Sequence, residues 1–147
     1  MKWIDLPPVW LAVFAALGWV QAVWLPVGSF GAFGDWLGGG LVLLGLGLAV
    51  AAAVEFRRAR TTIIPHEEPT SIVTSGVYRL SRNPIYLGDA LILAGLGLRW
   101  DSVLALVLVP VFVAVITRRF ILPEEARLRA RFGAEFSALA ARVRRWA

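Results

Sequence analysis

Long apolar stretches, separated by short polar segments, dominate the chain. Four of them approach the roughly 20 residues that a helix needs to cross a bilayer core. They run from about Val9 to Leu25, Leu37 to Val54, Pro84 to Leu98 and Val103 to Leu122. A backbone in lipid must satisfy its own hydrogen bonds, so we interpret each stretch as a transmembrane helix. The pattern therefore predicts an all-α integral membrane protein with four spans.

The pattern changes after the fourth stretch. Pro123 suits the first position of a new helix, and Glu124 and Glu125 suit the positive end of its dipole. Apolar residues then recur at spacings of three and four while arginines fill the other face. This predicts a C-terminal amphipathic helix on the cytoplasmic surface or against the ends of the spans, with Gly133 as a candidate bend. Its apolar positions are Leu128, Phe132, Phe136, Leu139, Val143 and Trp146.

Small residues recur four positions apart within two of the predicted spans. Gly18 is followed by Ala22, and Gly45 by Ala49 and Ala53. Such rows let two helices approach closely in lipid. We expect these glycines to be packing contacts rather than ligand contacts.

The composition agrees with a membrane protein of one domain, residues 1–147. Hydrophobic residues make up 59% of the chain, and the mean hydropathy is +0.72, well above ordinary soluble domains. Because the chain has no cysteine, disulfides, thiol catalysis and thiolate metal sites are excluded. His66, Glu67 and Glu68 are adjacent rather than spaced for convergent ligation, so we expect a solvated loop histidine and no metal.

The basic residues predict the orientation of the spans. Only Arg99 falls on one side of the four-span arrangement, so the positive-inside rule predicts that both termini are cytoplasmic, in a prokaryotic inner membrane. We therefore interpret the net charge of +5 as a signal for membrane orientation and for attraction to anionic lipids, rather than for nucleic-acid binding. The other 14 basic residues are Lys2, Arg57, Arg58, Arg60, Arg79, Arg82, Arg118, Arg119, Arg127, Arg129, Arg131, Arg142, Arg144 and Arg145.

Unusual polar groups also collect on that side, which indicates a functional site. Asp89 lies about 7 Å into the third span at 1.5 Å per residue, where a carboxylate is costly and usually pairs or faces a polar cavity. Arg82, Arg118 and Arg119 are its candidate partners. Purely structural roles for these polar residues remain open. Asn83 suits the N-cap position of a helix, and the tyrosines and arginines beside it suit the membrane–water interface.

A local motif narrows these alternatives. The segment Gly76–Gly88 reads Gly-Val-Tyr-Arg-Leu-Ser-Arg-Asn-Pro-Ile-Tyr-Leu-Gly, and Glu124 and Glu125 follow the last span. It resembles the isoprenylcysteine carboxyl methyltransferase and phospholipid methyltransferase group, whose pattern is roughly Gly-x-Tyr-x-x-x-Arg-His-Pro-x-Tyr-x-Gly followed later by Glu-Glu. Asn83 stands where that group usually has histidine. The matching positions are Gly76, Tyr78, Arg82, Pro84, Tyr86 and Gly88.

The resemblance covers about residues 61–146 and implies a membrane-embedded methyltransferase that uses S-adenosylmethionine. It places the cofactor-binding portion at about 61–147, on the cytoplasmic face. Arg82 and Arg119 are the implied catalytic candidates, and Glu125 and Asp89 are further candidates. The implied cofactor contacts are Thr70, Ser71, Ile72, Val73, Tyr78, Asn83, Pro84, Ile85, Tyr86 and Glu124.

The acceptor stays open at this stage. A carboxylate acceptor needs an arginine to place it, which Arg82 or Arg119 supplies, whereas an amine acceptor needs a base such as Glu125 or Asp89. Prenylated cysteine, phosphatidylethanolamine, an isoprenoid or another amphiphile all fit, and the oligomeric state is open. A small four-span transporter with Asp89 as coupling carboxylate is the alternative from another class, and a membrane subunit without a ligand is a third.

Overall fold

The computed structural model describes residues 6–25, 27–60 and 71–147. These ranges contain helices and no strand, which confirms the all-α prediction. In chain order the elements are α1 (Pro7–Trp24), α2 (Gly31–Arg58), a 3₁₀ turn (Gly76–Arg79), α3 (Pro84–Arg99), α4 (Val103–Ile116), a π-helical turn (Thr117–Ile121) and α5 (Leu122–Arg142).

Three helices in the described ranges are long and apolar enough to cross a membrane. They are α1, α2 and the continuous helix Val103–Arg142, which joins α4, the π-helical turn and α5. The third predicted span is α3, whose 16 residues extend about 24 Å. Its passage through the bilayer, and with it the count of four spans, stays a prediction.

The loop between α3 and α4 holds the start of α2. The Oδ1 atom of Asp101 accepts hydrogen bonds from the backbone N–H groups of Phe30, at 2.6 Å, and Gly31, at 3.0 Å. In the same loop, Ser102 Oγ accepts from Ala105 N–H at 3.0 Å and so caps α4. Helix termini leave backbone donors unpaired, and here side chains satisfy them.

Glycines bring α2 and α3 into backbone contact. A Cβ atom added to Gly45 would lie 2.4 Å from the carbonyl oxygen of Gly88, and one added to Gly38 would lie 2.5 Å from that of Gly95. The order of these pairs shows that the two helices run antiparallel. The prediction that Gly45 serves packing is confirmed. It also holds for Gly18, where an added Cβ would lie 3.4 Å from Ala105 Cβ, on α4.

A hydrophobic core joins α1, α3 and α4. The rings of Phe14 and Phe112 pack edge to face with centroids 5.4 Å apart. Leu93 and Ile116 are fully buried beside them. Tyr86, in the first turn of α3, extends this core to the π-helical turn through Phe120, at 6.5 Å between ring centroids.

The predicted start of a separate helix at Pro123 is wrong. The helix continues through this position, because the chain widens into the π-helical turn just before it and Leu122 N–H bonds to the Thr117 carbonyl, five residues back. A proline ring clashes with the carbonyl four residues earlier in a regular α-helix, and one wider turn relieves that clash. Glu124 and Glu125 therefore do not lie at a helix N-terminus, and the dipole explanation for them fails.

The predicted bend at Gly133 is confirmed. This residue has φ +48° and ψ −111°, outside helical values, and α5 changes direction there. Beyond it Phe136 and Leu139 are buried. The helix ends at Arg142, so Val143 and Trp146 lie in the irregular segment that follows, not on the helix as the pattern indicated. A position of α5 on the cytoplasmic surface stays a prediction.

Candidate functional site

One end of the molecule gathers the polar groups that the sequence singled out. We call it the polar end: the last turn of α2, residues 71–83, the first turns of α3 and α5, and the C-terminal segment 143–147. Because α2 and α3 are antiparallel, the end of one lies beside the start of the other. The fold thus brings Gly76–Gly88 and the two glutamates together, as the sequence predicts.

Glu55 anchors the loop that carries the motif. It is only 7% exposed, accepts a hydrogen bond from Ser75 Oγ, and pairs with Arg58 at 3.1 Å. Gly76 covers it: its φ is +54°, and an added Cβ would lie 2.7 Å from Glu55 Oε1. A glycine is therefore required there by conformation and by space. The sequence analysis missed Glu55, although a lone carboxylate ending an apolar run is itself a signal.

Tyr78 is fixed by the end of α2. Its ring packs edge to face on Phe56, with centroids 5.5 Å apart and planes at 90°. Its other neighbours in this small core include Ala52 and Val73. Burial and the charge of Glu124 raise the pKa of the Tyr78 phenol above its ordinary value. The phenol therefore stays a neutral donor at any physiological pH.

The residues of the stretch 70–73, which was predicted to bind the cofactor, differ in their burial and contacts. Val73 is buried in the core around Tyr78, Ile72 is half-buried, and Ser71 Oγ donates to the Ala59 carbonyl at 3.4 Å. Thr70 lies outside the described residues, as do His66, Glu67 and Glu68. The described ranges contain no group of three or more side chains suited to a metal ion.

Four acidic or phenolic side chains near the polar end form an electrostatic cluster, in which each lies within electrostatic range of at least one other. Glu124 acts electrostatically on both Tyr78 and Tyr86, and Asp89 acts on Tyr86. Burial raises the pKa of Glu124 above its ordinary value; the charge of Arg127 partly offsets this, and the neighbouring Glu125 adds to it. Glu124 is thus a carboxylate that a cationic group would stabilise.

Asp89 is buried and incompletely paired. It is 8% exposed, and its Oδ2 atom has no hydrogen-bond partner within residues 6–25, 27–60 and 71–147. A buried polar atom without a partner is rare in folded proteins. The sequence named Arg82 as a candidate partner, but Arg82 binds elsewhere.

Arg82 belongs to a network centred on Glu125. Its Nη1 atom lies 3.3 Å from Glu125 Oε1, and the side chains of both residues are only 12% exposed. Its guanidinium carbon lies 5.7 Å from the centroid of the Phe136 ring. Arg145 holds the same carboxylate with two hydrogen bonds, Nε to Oε1 at 2.9 Å and Nη2 to Oε2 at 2.8 Å. The Nε atom of Arg82 is buried and has no partner in the described chain.

The segment before α3 is bound to the C-terminal segment. Asn83 Nδ2 donates to the Arg145 carbonyl at 2.8 Å, so the expected N-cap role of its side chain is wrong. Ser81 Oγ also donates to that carbonyl, at 3.3 Å, and Arg82 N–H donates to the Arg144 carbonyl at 3.0 Å. The unused N-cap follows from this competition, because the Asn83 amide binds a nearby backbone carbonyl instead.

The remaining motif residues have plainer surroundings. Pro84 occupies the first turn of α3, as predicted, and Ile85 packs against both hydrophobic clusters. Arg119 lies in the π-helical turn, with its guanidinium carbon 5.3 Å from the centroid of the Trp10 ring in α1. It is therefore directed toward α1, whereas Arg82 is directed toward α5.

Comparison with known proteins agrees with this arrangement. The model of one family, described as phospholipid methyltransferase, matches residues 33–135. No curated protein and no solved structure matches the chain. The matched region contains nearly all of α2, the motif segment, α3, α4, the π-helical turn and both glutamates. Because it covers more than half of the chain, the protein belongs to the phospholipid methyltransferase family.

Proposed function

We propose that the protein transfers a methyl group from S-adenosylmethionine to a lipid-like or isoprenoid acceptor at the cytoplasmic membrane face. The family supports methyl transfer in a membrane. The observation that carries the cofactor assignment is the cluster of Glu124, Tyr78 and Tyr86. It brings a half-buried carboxylate and two buried tyrosine side chains to the end of the molecule that holds the family motif. The transporter alternative gains no support from the family.

The residues of this cluster suit a cationic ligand. Aromatic faces attract cations. Burial raises the pKa of Glu124, and the positive charge of Arg127 offsets this only in part. In S-adenosylmethionine the sulfonium supplies an already activated methyl group. We infer that Glu124 holds the cofactor's ammonium or ribose hydroxyls and that the two tyrosines line its sulfonium. The protein mainly aligns the reactants and excludes water.

The predicted topology supports access from two directions. The antiparallel contact of α3 with α2, a helix long enough to span, favours a crossing by α3 as well. Four spans then place the polar end and α5 at the cytoplasmic surface. The cofactor enters from the cytosol, and the acceptor enters sideways from the bilayer.

The structure also bears on the chemistry of the acceptor. Arg82 and Arg119 remain the groups that would place a carboxylate acceptor. For an amine acceptor, Glu125 is a poor base, because Arg145 and Arg82 occupy its oxygens. Asp89, with one unpartnered oxygen, is the better candidate. Both O-methylation and N-methylation are compatible with this set of residues.

Calorimetric titration of the detergent-purified protein tests the cofactor assignment. S-adenosylmethionine and its demethylated product should bind, and ligand at 100 times Kd should stabilise the fold by about 2.7 kcal/mol. Adenosine alone is the control ligand. Glu135→Gln, an exposed position further along α5, is the matched control for Glu124→Gln. Folded wild type that shows neither heat nor thermal stabilisation would contradict the proposal.

A further inference from the structure

The C-terminal segment contacts the candidate site through side chains as well as through backbone. Val143 is buried, Trp146 packs against the main core, and the carbonyls of Arg144 and Arg145 accept the hydrogen bonds from residues 81–83 described above. Arg145 then reaches back to Glu125, twenty residues earlier. The segment is therefore fixed on both sides of the Arg145 side chain.

The Glu125 network has an excess of positive charge. One carboxylate is shared by two guanidinium groups, Arg82 at 3.3 Å and Arg145 at 2.8 Å, and Arg129 adds a third positive charge within electrostatic range. Arg82 and Glu125 are nearly buried, so water screens this excess weakly. Such a site favours an additional anionic group.

The second observation is the unused donor on Arg82. Its Nη1 atom binds Glu125 and its guanidinium carbon lies over the Phe136 ring, yet its buried Nε–H has no acceptor in the described chain. Leaving a buried donor unpaired costs free energy. A ligand oxygen at this position would remove that cost and would neutralise the excess charge as well.

We propose that Arg145 is a positioning residue: through Glu125 it holds the Arg82 guanidinium so that the buried Nε–H donates to an anionic oxygen of the bound ligand. This inference rests on the proposed function. Two ligands carry such an oxygen, the cofactor through its carboxylate and the acceptor through an anionic head group. Arg82 touches the ligand in either case, whereas Arg145 acts only through Glu125.

The test compares Arg145→Ala and Arg145→Lys with wild type in two assays. The first measures the affinity for S-adenosylmethionine and for its decarboxylated analogue, because a purely structural defect weakens both equally. The second measures kcat and KM for methyl transfer to phosphatidylethanolamine in phosphatidylcholine vesicles. Arg142→Ala, an exposed arginine at the end of α5, removes the same charge and is the matched control. Melting temperatures report folding.

The outcomes separate the two sources of the oxygen. If Arg82 binds the cofactor carboxylate, wild type prefers S-adenosylmethionine and Arg145→Ala reduces that preference by about tenfold, the effect of one charge-assisted hydrogen bond. If Arg82 binds the acceptor, the preference is unchanged and KM rises by a similar factor while kcat changes less. Arg145→Lys should behave like Arg145→Ala despite its charge, because an ammonium cannot reproduce the two-pronged contact.

Two results would overturn the proposal. One is equal loss of affinity for both cofactor forms with unchanged KM, in step with a lower melting temperature, which describes a structural residue. The other is an Arg142→Ala variant as impaired as Arg145→Ala, which describes a general effect of surface charge. Failure of wild type to bind either cofactor form would instead contradict the proposed function.

Discussion

At the scale of single residues, two adjacent glutamates have different surroundings. Glu124 acts electrostatically on Tyr78 and Tyr86, while Glu125 is bound by Arg82 and Arg145. The sequence predicted their importance and their placement near the motif. It did not predict their separation, because that depends on the rotation of α5 after the π-helical turn and on an arginine twenty positions away. Neither feature leaves a periodic signal.

Glu124→Gln and Glu125→Gln should therefore differ in kind. Glu124→Gln removes the carboxylate assigned to the cofactor, so the affinity for S-adenosylmethionine should fall by roughly 1.5 to 3 kcal/mol. Glu125→Gln should lower the melting temperature, since it leaves two arginines near one another without their shared anion. Calorimetry and thermal unfolding measure the two effects. Equal, small effects from both variants would contradict the division of roles.

The same two residues should give opposite pH dependences of stability. Burial alone would raise the pKa of Glu125, but the hydrogen bonds from Arg145 and the charge of Arg82 lower it below its usual value. Its contribution is therefore complete above the unfolded-state pKa, about 4.3, and is lost as pH falls through the folded-state value. For Glu124 the folded-state pKa is raised, so its ionisation opposes folding as pH rises.

Thermal unfolding without ligand, followed from neutral pH into acid, checks these signs. Glu125→Gln should flatten the loss of stability in acid. Glu124→Gln should raise the melting temperature at neutral pH, although it weakens cofactor binding. Glu135→Gln, in the exposed part of α5, should leave the profile unchanged. A neutral-pH melting temperature that falls in Glu124→Gln would show that its carboxylate is well paired, against the argument from burial.

At the scale of helices, the sequence predicted most of the fold. An apolar run of membrane length has few alternatives to helix. The predicted limits of α1 and α3 lie within two residues of the observed ones, and the fourth predicted span matches α4 together with the π-helical turn, whereas α2 is longer than predicted at both ends. The packing role of Gly18 and Gly45 followed from their spacing. The predicted start of a new helix at Pro123 was wrong. A proline usually indicates a helix break, but here the helix accommodates it through the wider π-helical turn. Deciding between those outcomes requires the contacts of α5.

Substitution of glycines on α2 tests the close contact with α3. Gly45→Ala should destabilise the protein by about 1 to 3 kcal/mol, because its Cβ would lie 2.4 Å from the backbone oxygen of Gly88, which cannot easily move. Gly47→Ala is the matched control, since nothing lies within 4 Å of an added Cβ there. It should be neutral or stabilising through helix propensity. Unfolding in detergent measures both, and equal behaviour would refute the close contact.

At the scale of the whole molecule, the two ends differ in a way that suits a bilayer. The end opposite the polar end carries aromatic side chains directed outward, with Trp24 79% and Trp36 85% exposed, as expected at a membrane interface. Most of the arginines lie at the polar end, in the π-helical turn and in α5. The sequence predicted this asymmetry from charge alone. It could not predict how α5 and the C-terminal segment close over the polar end, since Asn83, Glu125 and Arg145 meet only after folding.

Cysteine labelling tests the topology, and the absence of native cysteine gives a clean background. Ser29, Thr74 and Ala147 are exposed in the structure and lie after α1, before α3 and after α5. Four spans predict that a membrane-impermeant maleimide labels Ser29→Cys in intact cells, but labels Thr74→Cys and Ala147→Cys only after lysis. If α3 does not cross, Ala147→Cys alone changes sides, because the chain then crosses an odd number of times. Labelling of Ala147→Cys in intact cells, with Thr74→Cys protected, would therefore reduce the count to three spans. It would also place α5 and the motif on opposite faces of the membrane. The contact between Glu125 and Arg82 is incompatible with that placement.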